Sequence, residues 1–207
     1  GEDEEYWNGI NFSDDADDEG RLEYCDIQYA SGSGYDPYWG AVNCNGTSPS
    51  ILNNNFSNCS NISINITNGS HAQIHGNSMF SSGSGIESRN SSPEIVNNDI
   101  SAISGYSIAL YDCSSAIVSD NLISNNYSYG LYVDGSDSLT IENNTIINNT
   151  MGIYMNQTNG AIIISNTITN NNNEGIYFDY YNRSCYRTFG PWNYCILNEI
   201  TKFNRLI

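Results

Sequence analysis

Few side chains in this 207-residue chain are equipped for chemistry, so they can be weighed one at a time. Proton transfer needs a basic or acidic group held against a reacting atom. The basic residues are Arg21, Arg89, Arg183, Arg187, Lys202 and Arg205, and none reads as standing on a strand beside acids. Asp99 and Asp120 fall in turn-like stretches, where carboxylates are normally solvated. The run DDADDE at 14–19 clusters Asp14, Asp15, Asp17 and Asp18. Clustered carboxylates are calcium ligands, but these lack the spacing of a calcium loop. A solvated acidic loop is the expectation, with no cofactor. His71 and His75, four apart on extended chain, do not converge on a metal.

The six cysteines contain no CxxC, which argues against zinc, and their even number suits an oxidising compartment. Cys185 and Cys195 are the expected disulfide, closing a loop; two of Cys25, Cys44 and Cys59 can pair, and Cys113 has no evident partner. Asparagine chemistry is plentiful. The N-glycosylation pattern N-x-S/T occurs at Asn11, Asn45, Asn55, Asn58, Asn61, Asn65, Asn68, Asn90, Asn126, Asn143, Asn148, Asn156 and Asn182. Composition alone would give roughly half as many. With a first residue that is Gly1 rather than Met, the chain reads as a processed extracellular protein carrying N-linked glycans. Acids outnumber bases 23 to 6, for a net charge of -17. That argues against binding nucleic acid, which needs a basic footprint, and against an anionic membrane surface. No apolar run is long enough to insert into a bilayer.

The elements that must position these residues come from a repeat. The unit I-x-x-N-x-I/F/M recurs at Ile51…Asn54…Phe56, Ile74…Asn77…Met79, Ile95…Asn98…Ile100, Val118…Asn121…Ile123, Ile141…Asn144…Ile146 and Ile163…Asn166…Ile168, with a divergent copy at Cys195…Asn198…Ile200. A second unit, Gly followed by alternating apolar residues, appears at Gly85, Gly130, Gly152 and Gly175. Alternation marks strands with one buried face, and no sustained helical period competes with it. A period near 22 predicts coils of about three strands, stacked at strand spacing. The asparagines at 54, 77, 98, 121, 144 and 166 are expected at one bend, bonding the coils above and below. Gly152 is expected to give the chain freedom to re-enter a strand.

These units resemble right-handed parallel β-helix proteins, the pectin-lyase-like superfamily and NosD-type surface repeats. The resemblance implies an all-β, right-handed parallel β-helix of about seven to eight coils. It covers a single domain over 1–207: looser coils at 1–50, regular coils at 51–180, a loop insertion at 181–195 and a last coil at 196–207. The scaffold hosts lyases, hydrolases, adhesins and inert stalks. The family's lyases imply a base beside calcium-binding acids. Its hydrolases imply paired aspartates with Gly-His-Gly and Arg-Ile-Lys motifs, whereas this chain has Ile74-His75-Gly76 and no Arg-Ile-Lys.

The chain is therefore expected not to be an enzyme. The expected function is a structural extracellular or cell-surface glycoprotein, a subunit of a filament, sheath or layer. An acidic first coil (Glu4, Glu5, Asp14, Asp15) and a basic last one (Lys202, Arg205) would join copies head to tail as a homopolymer. The alternatives are a pectin-lyase-like carbohydrate-active enzyme, or an adhesin binding sugar on an outward stripe of Tyr132, Tyr154 and Tyr177. For that stripe, plain cross-strand packing is slightly the better reading.

Overall fold

The computed structural model describes residues 6–16, 18–31 and 39–179 and the backbone of 196–198. Among the described residues every strand is parallel to its neighbours, and the strands form three sheets of eight, eight and seven. One coil shows the plan. Tyr129–Asp134 lies in the first sheet, Thr140–Glu142 in the second and Thr145–Ile147 in the third, before Met151–Asn156 returns to the first. The parallel solenoid expected from the repeat is the observed fold.

Each coil has three corners, and most of the described corners use the same device: one residue in the left-handed region followed by one buried residue. Between the second and third sheets the left-handed residues are Asn53, Gly76, Asn97, Asp120, Asn143 and Ser165, with φ between 54° and 67°. Between the third and the first they are Asn58, Ser81, Ala102, Asn125, Asn148 and Asn170. Asn and Asp adopt this conformation more readily than other L-residues because their short polar side chains bond locally. The pair Asn143-Asn144 thus divides its labour: Asn143 turns the chain and is exposed, while Asn144 is 1% exposed.

The buried member stitches the coils together. Asn144 N and Nδ2 both donate to Asn166 Oδ1, each at 2.9 Å, and Nδ2 also donates to Val118 O at 2.9 Å. Asn144 Oδ1 in turn accepts from Asn121 N and Nδ2. The column runs unbroken through Asn54, Asn77, Asn98, Asn121, Asn144 and Asn166. Cys25 heads it, its backbone N–H donating to Asn54 Oδ1.

A second column, which the repeat unit did not bring out, stands at the next corner. There Ile103 N donates to Asn126 Oδ1, and Asn126 and Asn149 bond onward to Asn149 and Asn171. Its signal was an asparagine five residues after each of Asn121, Asn144 and Asn166.

Inward residues stack like on like. Ile51, Ile74, Ile95, Val118, Ile141 and Ile163 pair in register down the second sheet, and all are at most 3% exposed. Gly152 has a different reason from the one expected. It does not have a positive φ. A Cβ there would overlap the Gly175 carbonyl oxygen and press on Ile168 Cγ2 at 2.9 Å, so close approach of successive coils demands glycine. The cysteines differ too: Cys25, Cys44, Cys59 and Cys113 are free. They occupy a corner, the apolar interior and two further corners, so no two are opposed. Burial pushes the Cys44 thiol up to about 12. Cys185 and Cys195 lie outside the described residues.

Replacing Asn121 by Ala orphans the buried Asn98 N–H and takes the side-chain donor from the buried Ile95 carbonyl. The expected cost is roughly 3 kcal/mol in urea denaturation, at about 1–3 kcal/mol per orphaned group. Asn143→Gly, at an exposed left-handed position, should change stability by less than about 0.5 kcal/mol.

Candidate functional site

Strand alternation decides what the first sheet shows to the outside. In Ser84–Arg89, Ile86 and Ser88 point in, so Glu87 and Arg89 point out. Register carries this through the stack. One outward row reads Asn43, Asn65, Glu87, Ala109, Tyr132, Tyr154, Tyr177, and its neighbour reads Asn45, Thr67, Arg89, Tyr111, Asp134, Asn156, Asp179. Although outward, Asn43, Asn65 and Glu87 are only 6%, 5% and 8% exposed. Asn65 Oδ1 has no hydrogen-bond partner among the described residues.

At the middle of this face a carboxylate, a guanidinium and a phenol meet. Arg89 Nη2 donates to Glu87 Oε2 at 3.0 Å, and the Arg89 guanidinium lies 3.8 Å from the centre of the Tyr111 ring. Tyrosines extend the group toward the later coils. Tyr111 and Tyr106 pack on Tyr132 at 5.5 and 4.9 Å between ring centres. Tyr132, Tyr154 and Tyr177 then stack at 5.1 and 5.6 Å, with interplanar angles of 6° and 17°. The stacked rings cover one another's faces, so the row offers ring edges and hydroxyls. The Tyr154 hydroxyl donates to Asp179 Oδ2 at 2.7 Å.

Electrostatics favour the protonated form of Tyr111, Tyr132 and Tyr154. Burial, with the Glu87 charge beside it, pushes Tyr111 up to about 12. The hydrogen bond to Asp179 raises Tyr154, and burial raises Tyr132. The face thus sets the Glu87 carboxylate beside a phenol, Tyr111, that holds its proton at neutral pH. Among the described residues no three metal-ligating side chains converge.

Other sequence candidates are scattered. Asp14 and Asp15 sit exposed in a turn, and Asp18 Oδ1 accepts from Ser48 N and Thr47 Oγ1, tying its loop to the next coil. His75 stands on the second sheet 3.6 Å from Glu94, away from the tyrosine face. Asp120 is a corner residue, but Asp99 opens the strand Asp99–Ser101. Glu4, Glu5, Asp17, Asn182, Lys202 and Arg205 lie outside the described residues. The reading that no arginine shares a strand with an acid is wrong twice: Arg89 pairs with Glu87, and Arg21 with Glu23, each within one strand. Two residues apart on a strand, such side chains share a face. Gly85-Ile86-Glu87-Ser88-Arg89 carried that signal inside the second repeat unit.

The acceptor asparagines divide by exposure. Asn143 and Asn148 are exposed corner residues, whereas Asn65 and Asn126 are buried. In folded protein secreted from a glycosylating host, peptide mass spectrometry should find sugar on Asn143 or Asn148 and none on Asn126, whose amide is committed to the second column. Tyr111 gives a pH signature. Its folded value lies above the ordinary value near 10, so its contribution to stability is complete below pH 10 and is lost as pH rises toward about 12. Urea midpoints over that window should fall less steeply for Tyr111→Phe than for the parent.

Comparisons with known proteins fit this architecture. No curated protein matches the chain in sequence. Among solved structures, a point mutant of a periplasmic alginate epimerase superposes with a TM-score of 0.61 at 18% identity, covering 84% of this chain and 47% of the epimerase. The chain therefore spans about half the length of that enzyme. The A-module of an Azotobacter vinelandii mannuronan C-5 epimerase aligns with a TM-score of 0.47 at 11% identity, covering 82% of this chain and 62% of the module. These likenesses concern the fold. The first of them overturns the expectation that the chain is not an enzyme, because missing lyase and hydrolase motifs do not set the chain apart from a fold that an alginate epimerase also adopts. The family model for the right-handed β-helix region matches residues 40–187, most of the chain, and the chain belongs to that family.

Proposed function

We propose that this chain is a carbohydrate-active β-helix protein of an extracytoplasmic compartment, which holds a glycan along the outer face of the first sheet. One observation carries the reading: an almost buried carboxylate, Glu87, is fixed by Arg89 on the outward side of a strand and is continuous with a row of tyrosines. Charges are rarely kept this dry on a sheet face without a task. Glu87 is the group placed to accept a proton from a water attacking a bound glycan. Arg89 orients it, and Tyr111 is the group placed to give a proton to the departing sugar oxygen. The hydroxyls of Tyr132 and Tyr154 supply the hydrogen bonds that fix the chain's position along the coils. The similar solved structure is of a periplasmic enzyme named for a polysaccharide, which supports both the class of activity and the compartment.

The test is to incubate the purified protein with a panel of soluble polysaccharides and follow the sugar signals by NMR. New signals are expected with at least one polymer. Glu87→Gln keeps a hydrogen-bonding partner for Arg89 and should lower the rate by about 100-fold or more with the melting temperature little changed. No change in any polymer would remove the reading.

A further inference from the structure

Charge on the candidate face is lopsided. Outward on its strands stand three carboxylates, Glu87, Asp134 and Asp179, against one guanidinium, Arg89. Arg89 is engaged already: it donates to Glu87 at 3.0 Å and lies 3.8 Å from the centre of the Tyr111 ring. The other described arginine, Arg21, belongs to the second sheet and is held by Glu23. A polymer with a carboxylate on every sugar needs cations spaced along its path, because charge-assisted bonds from Arg or Lys hold such groups. Here it would meet a negative field on a chain of net charge -17.

What the face offers instead is a series of uncharged hydrogen-bonding groups. Asn65 and Asn156 contribute amides to the outward rows, and Tyr132, Tyr154 and Tyr177 contribute phenols, while Asn43 is taken up by Gly40 and Asn11. Asn65 Oδ1, buried and unpartnered among the described residues, stands in register beside Glu87. An acceptor left dry in this way carries a cost unless something donates to it. A sugar hydroxyl is such a donor. Because Tyr132 and Tyr154 stack within 6° of parallel, their faces are taken, and a sugar chain meets edges and hydroxyls.

We propose that the ligand is an uncharged polysaccharide, bound through its hydroxyls along Asn65, Glu87, Tyr132 and Tyr154, and not a uronate polymer. This rests on the carbohydrate reading above and narrows it, and it separates the chain from the alginate epimerase it resembles in fold. Carboxylates crowd the face and stay, since they accept from sugar hydroxyls as well as from Arg89 and Tyr154.

Affinity electrophoresis of the intact protein tests this, in gels containing galactomannan, hydroxyethylcellulose or dextran, and in parallel gels containing alginate or polygalacturonate. Retardation by at least one neutral polymer is expected, with none by the two uronates at low or high salt. Tyr132→Phe combined with Tyr154→Phe removes hydroxyls but keeps the stack, and should weaken the retardation at least fivefold. Asn65→Ala should weaken it too. Retardation by alginate or polygalacturonate that Arg89→Gln abolishes would overturn the neutral-ligand proposal while leaving the carbohydrate reading in place. Neutral-polymer binding untouched by the tyrosine and asparagine changes would place the site elsewhere and overturn the proposal. Retardation by no polymer of either kind, with no turnover, would remove both.

Discussion

The whole architecture hangs on one bond set: a buried asparagine amide that accepts from the corner of one coil and donates to the coils on both sides. A chain that bends three times per coil exposes peptide groups at every bend, and in a tightly wound solenoid those groups cannot all reach water. Asn144 meets the problem by serving Asn121, Val118 and Asn166 at once. The left-handed residue before it sets the angle that makes this reach possible. With the corners fixed, the strands between them have no choice of register, and the isoleucine stacks follow.

Fixed register is also what makes a surface out of single residues. Each outward position is repeated in the next coil, so a substitution in one coil is read beside its neighbours in the column. The face of the first sheet shows three regimes in succession: amides at Asn43 and Asn65, charge at Glu87 and Arg89, and phenols from Tyr111 to Tyr177. The inward residues and corner columns carry most of the burden of holding the shape, although Asn43 also bonds both the N–H and the carbonyl of Gly40. The outer face is therefore free to carry function.

The fold was legible because its determinants are periodic. Asn54 to Asn166 and the isoleucines around them recur in one dimension, and recurrence is visible without coordinates. The second column escaped notice because only three coils carry it as asparagine, while Cys59, Ser82 and Ile103 fill the same corner elsewhere. The candidate site was harder, since it is defined by departure from the repeat. Glu87 and Arg89 replace the amide and hydroxyl of Asn65 and Thr67, and a single departure looks like noise until the neighbouring coils are laid beside it. A pairing among Cys25, Cys44 and Cys59 fails for a related reason: Cys25 and Cys59 are near in sequence count of coils but stand at different corners. Gly152 was assigned to the right position for the wrong cause, since crowding by the next coil is invisible in a linear pattern.

The asparagine columns also bear on how the chain reaches this shape. Their side-chain links from one coil to the next span only 21 to 23 residues. That is about a ninth of the chain, low for an all-β protein, where pairings across the whole sequence usually slow folding. A coil that has closed presents its asparagine and its strand edges as a template for the next. Growth can then proceed from any nucleus toward both ends, each step closing a loop of the same modest size. Loss of structure should run the same way in reverse, fraying coil by coil from the ends while the middle coils, held from both sides, open last.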